Sequence, residues 1–164
     1  MRKRALLGLL LSSAALAQTQ YGTSAKPGSI AHANAGCPWL TEGSAAHALG
    51  GEVSVTAKVS DTNEGFCTFT RQDLAGSLEI LVSKAALPAC PPESTSLKGI
   101  GNEALRCRHA GSGGASVGMI SSRVRDYHFT VMFTMRGQTS PAKPDDPQHD
   151  ALEQIAEQVA GNLY

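Results

Sequence analysis

The chain has 164 residues, 41% of them apolar and 5% aromatic, with 14 Lys/Arg set against 14 Asp/Glu. That length suits one domain with one core. The balanced charge excludes the strongly basic surface that nucleic acid or an anionic membrane attracts over distance.

At the start, Arg2, Lys3 and Arg4 precede the apolar run ALLGLLLSSAALA. The run falls short of the ~20 residues that span a bilayer. It ends with the small residues Ala15 and Ala17 placed as a signal peptidase requires. The pattern predicts a signal peptide over 1–17, cleaved before Gln18, and a secreted or periplasmic mature chain. Cleavage removes three of the 14 basic residues and leaves 11 against 14 acidic ones. No cysteine follows the cleavage site to take a lipid, and no later segment reads as a transmembrane span. Residues 18–36 are rich in Ala, Gly, Ser, Thr and Asn, without apolar periodicity, and read as a flexible linker. A single domain is then expected over 37–164.

CPWLTEGSAAHALGG predicts a short helix capped by Thr41 and stopped at Gly50-Gly51, with Trp39, Leu40, Ala46 and Leu49 available to a core. Three strand-like runs follow. Val53, Val55, Ala57 and Val59 alternate with polar residues; Cys67 and Phe69 share a face in GFCTFTR; Leu78, Ile80 and Val82 do so in SLEILVS. Turn residues separate the runs, so they predict an antiparallel meander. LPACPPESTS reads as a proline-rich connection. Beyond it, ALRCRH, ASVGMISSRV and YHFTVMFTMR predict three more strands. In the last, Tyr127, Phe129, Val131, Phe133 and Met135 share one face. After a second proline-rich loop, Asp146 and Pro147 open a helix whose stripe is Leu152, Ile155, Ala156, Val159 and Leu163, with Glu153, Gln154, Glu157 and Gln158 toward water. The fold class is α+β: an antiparallel sheet of about six strands in two three-strand halves, packed with an N-terminal and a C-terminal helix on one or both faces.

Cys37, Cys67, Cys90 and Cys107 all lie in the mature chain. An even count in an exported chain reads as two disulfides. Of three connectivities, Cys37–Cys67 with Cys90–Cys107 is favoured because each joins segments close in sequence. Each bond contributes roughly 3 kcal/mol. No C-x-x-C pair argues for a metal instead.

Two motifs invite chemistry and lack its context. Gly99, Gly101 and Ala104 match a dinucleotide turn, but a proline-rich stretch stands where a strand is required, and no long helix follows. Ser116 sits in G-x-S-x-G with Asp146 and His149 downstream, yet it enters a strand rather than a strand-to-helix elbow. No cofactor site is expected. The residues weighed for a metal-dependent or hydrolytic site are His109, His128, Asp126 and Ser116, against surface histidines as the simpler reading. His32, His47 and His149 complete the histidine set. Arg106, Arg108, Arg123 and Arg125 form a candidate anion or partner patch, with a solvated sheet face as the alternative. Phe129, Val131 and Phe133 form a candidate apolar ligand face beneath the last helix. Inward-pointing aromatics leave no stacking platform for nucleic acid.

The succession of CPWL…HALGG, FCTFT, GIGNEA before a strand, an apolar strand and a final amphipathic helix resembles small exported bacterial proteins and lipoproteins with a PsbP-like α+β sandwich. The resemblance runs from Cys37 to Leu163. It departs from those proteins in lacking the lipid-attachment cysteine and in carrying Cys90 and Cys107. It implies a binding or accessory domain and carries over no catalytic residue. The expectation is therefore a non-enzymatic, disulfide-stabilised binding domain of the cell envelope. Its partner would be an envelope protein or an apolar small molecule. A small secreted hydrolase or metal-dependent enzyme and a purely structural envelope protein are the alternatives.

Overall fold

The computed structural model describes residues 36–87, 90, 94–110, 115–136 and 147–164. The expected signal peptide and nearly all of the expected linker lie outside this set, as do His32 and the expected cap Asp146. Helix α1 (Glu42–Leu49) begins as its sequence requires: the Thr41 side chain accepts from the Ser44 N–H at 3.1 Å. It ends at Gly50, whose left-handed φ of 70° a glycine adopts at no steric cost. Strands β1 (Val53–Val59), β2 (Gly65–Arg71) and β3 (Gly76–Ser83) form the expected meander.

The proline-rich connection ends in a short strand, β4 (Thr95–Leu97). β5 (Glu103–Ala110), β6 (Ser116–Val124) and β7 (Tyr127–Met135) follow, and then helix α2 (Pro147–Leu163). The sheet is antiparallel throughout, seven-stranded, in the order β1-β2-β3-β7-β6-β5-β4. The expected count of six is corrected by β4. Its three residues are too few to show an alternation, and only the pairing of Leu97 with Ala104 and Thr95 with Arg106 reveals it. The halves therefore have three and four strands, joined by β3 against β7.

Both helices lie on one face, α1 over β1–β3 and α2 over β6 and β7, and they touch each other. Between them and the sheet is one core. Trp39, Phe69, Leu78, Ile80, Val131 and Phe129 are fully buried there, and the α2 stripe Leu152, Ile155, Ala156, Val159 and Leu163 closes it. Trp39 also donates from Nε1 to Asn63 Oδ1 at 3.0 Å, and its carbonyl accepts from Asn162. Trp39 thus ties the β1–β2 turn through its indole, and α2 through its backbone carbonyl, to the start of the domain.

The stretch GIGNEA forms a joint and no helical turn. Gly99 and Gly101 take φ of 87° and 63° on either side of Ile100, which plugs the core. The Ile100 carbonyl accepts from Ser122 Oγ at 3.0 Å, and Asn102 donates its N–H to the Arg123 carbonyl at 2.7 Å while its Oδ1 accepts from the Arg125 N–H. A strand follows instead of a long helix, so the spacing serves chain reversal against β6.

Candidate binding surface

The helices leave the second face of the sheet open, and strand register decides what it carries. Residues alternate between faces. With Cys67, Phe69, Leu78, Ile80 and Val82 in the core, Phe66, Thr68, Glu79 and Leu81 lie on the open side. Phe66 pairs directly with Leu81, Leu81 with Thr130, Thr130 with Ser121, and Ser121 with Leu105. One row of the ladder thus holds Phe66, Leu81 and Leu105, each 38% exposed. Neighbouring rows supply Thr56, Thr68, Glu79 and Met132. Lys58 stands beside Phe66 in the ladder, with its ammonium 5.8 Å from the ring centroid.

Cys90, in the connection between β3 and β4, is fastened to this face. Cys90 is bonded to Cys107, which is buried although it belongs to the open side of β5; its ladder partner Met119 is buried too. Cys37 is bonded to Cys67, so both favoured disulfides are present. The start of the crossover is pinned by Glu64, whose Oε1 accepts from the Lys84 N–H at 2.7 Å and whose Oε2 accepts from Thr62 Oγ1. These bonds, the Lys84 N–H foremost, hold the Glu64 carboxyl below its ordinary value. The exposed apolar part of the face is consequently the β2–β3 region, with Leu105 apart on β5.

The four arginines are not brought together. Arg106 shares the helix-covered side of β5 with buried Ala104 and forms an ion pair with Glu153 of α2. Glu153 therefore reaches the sheet while about a third of its side chain stays in water. Arg108 is described only by its ladder position opposite Gly118. Arg123 lies on the other side from Arg106 and donates to Glu103 at 2.8 Å. Arg125, in the β6–β7 turn, stacks over the Tyr164 ring at 5.3 Å.

His109 and His128 are also separate. His109 is level with Val117 and, through it, Thr134; His128 lies six residues along β7, about 20 Å away by strand rise. Asp126 is exposed in the turn beside His128. Among the described residues no group of three His, Cys, Asp or Glu is placed to hold a metal. Phe129, Val131 and Phe133 are 0%, 0% and 4% exposed and act as core beneath the helices. A shallow groove of about 650 Å³ between α1 and α2 is lined by Ser44, His47, Asp150 and Gln154 among others, and by none of those three residues.

Sequence pattern alone does not bring the open-face pair together, although its signal is present. Phe66 and Leu81 are apolar residues on the polar phase of alternating strands, and only register shows that they meet. No helix among the described residues is long and apolar enough to cross a membrane. No family model matches the chain, and neither does any curated protein or solved structure.

Proposed function

We propose that this is an exported, disulfide-stabilised binding domain of the cell envelope, in the manner of the PsbP-like accessory proteins it resembles, with no chemistry of its own. Its open sheet face would receive a partner protein. The observation that carries this reading is the adjacent pair Phe66 and Leu81, each more than a third exposed on a face the domain's own helices leave uncovered. Scattered apolar residues are ordinary on a surface; a contiguous apolar centre rimmed by Thr56, Thr68, Glu79 and Lys58 has the anatomy of a protein interface. Two disulfides suit an oxidising compartment.

The test is the double substitution Phe66→Ser with Leu81→Ser, made in the exported chain. The expected result is a folded chain whose unfolding midpoint falls only modestly, since each side chain is 38% exposed, together with loss of stoichiometric co-isolation with an envelope protein. Co-isolation that survives the double substitution contradicts the proposal.

A further inference from the structure

Beyond that reading, we propose that the chain self-associates through β1, as a two-fold dimer in which the β1 strands of two copies pair antiparallel and the two sheets become one. The inference rests on the edge of the sheet and makes no use of Phe66 or Leu81.

β1 is seven residues long, without proline, and is hydrogen-bonded to β2 alone among the described residues. The Ser60 N–H donates to the Glu64 carbonyl and the Gln72 N–H to the Glu52 carbonyl. In an antiparallel ladder such bonded pairs alternate. The even-numbered residues of β1 therefore spend their backbone groups on β2. The N–H and C=O groups of Val53, Val55, Ala57 and Val59 point outward along the edge. A free row of this kind is a template for another strand. The opposite edge, β4, is only three residues long.

The sequence of β1 is complementary to itself. With the two-fold at Thr56, Val53 meets Val59 of the second copy and Val55 meets Ala57, so all four outward residues find partners and each pair exchanges two backbone bonds. Their side chains face the core side and are only half-buried here, where central strands are fully buried. The second copy extends that apolar layer. On the other face Lys58 lies opposite Ser54 and diagonal to Glu52 of the second copy, a pair of opposite charge that symmetry makes twice. No like charges meet. Thr56 faces Thr56 across the axis as a non-bonded pair, with Cα atoms about 4.5 Å apart.

The experiment uses the mature chain, residues 18–164, in sedimentation velocity over a wide concentration range, with amide exchange followed in parallel. The expected result is a reversible dimer. In it, exchange at Val53, Val55, Ala57 and Val59 slows as concentration rises, while exchange at Ser54, Thr56 and Lys58 does not change. Thr56→Lys sets like charges directly opposite each other on an exposed position; it should weaken the dimer about tenfold or more while leaving the unfolding midpoint at concentrations where the chain is monomeric close to wild type. Thr56→Cys should give an interchain disulfide on mild oxidation, since the expected spacing lies within disulfide range. A monomer at every concentration overturns the proposal. If those four amides are protected regardless of concentration, the chain's own N-terminal segment holds the edge. A dimer indifferent to Thr56→Lys overturns it equally.

Discussion

Gly99 and Gly101 stand two residues apart in the same joint and carry unequal weight. Both take left-handed φ, a conformation that costs an L side chain about 1–2 kcal/mol. A Cβ at Gly99 meets nothing within 4 Å, whereas one at Gly101 falls 2.5 Å from the Arg123 carbonyl oxygen, which itself accepts the Asn102 N–H. Gly99→Ala should therefore lower stability by about 1 kcal/mol. Gly101→Ala should cost about 3 kcal/mol or more, because backbone must move as well. Urea unfolding of the two variants checks the ranking, and equal losses would refute it. Glu64 gives a pH prediction. Its carboxyl titrates below its ordinary value of 4.5, so the unfolded state takes up a proton first as pH falls. The stability it supplies is present above that value and is lost as pH drops through the lower, folded value. Wild type should exceed Glu64→Gln in urea midpoint at neutral pH, and the gap should close on acidification. Asp73, held down chiefly by its bonds from the Arg71 guanidinium, follows the same sign.

Among the elements, β5 shows where local reading stops. Alternation in ALRCRH separates Leu105 and Cys107 from Arg106 and Arg108, as the ladder confirms. It does not say which set meets the helices. The charged set does, because Glu153, far along the chain on α2, supplies a carboxylate to Arg106, whose side chain is 18% exposed. The Cys90–Cys107 bond lies on the other side. A covered ion pair is costly to break and cheap to replace. Glu153→Ala should cost about 1–3 kcal/mol, scaled down for a carboxylate that is one-third exposed. Arg106→Met with Glu153→Leu should return to within about 1 kcal/mol of wild type. Thermal unfolding of the single and double variants tests this; additive losses would contradict it. The long elements were legible because each repeats its period many times: β7 shows five inward apolar residues, and the α2 stripe is buried throughout. β4 was not legible, since three residues between a proline-rich stretch and a glycine turn carry no period.

At the scale of the whole molecule, the layer arrangement followed from pattern, while the surface that matters depended on register. The alternation in β2 and β3 placed Cys67, Phe69, Leu78, Ile80 and Val82 inside. It could not pair Phe66 with Leu81, nor show that both helices choose the same face and leave those two residues outside. The sheet puts Arg123 on the opposite face from Arg106 and Arg108, and sets His128 six residues along β7 from the level of His109. The proposed partner surface is the uncovered face of β2 and β3. The most direct measurement is photo-crosslinking in the intact cell envelope, with a benzophenone side chain placed at Leu81 and, for comparison, at exposed Gln158 on α2. One discrete adduct with an envelope protein is expected from position 81 and none from position 158. Equal labelling from both positions, or no adduct from position 81, would contradict it.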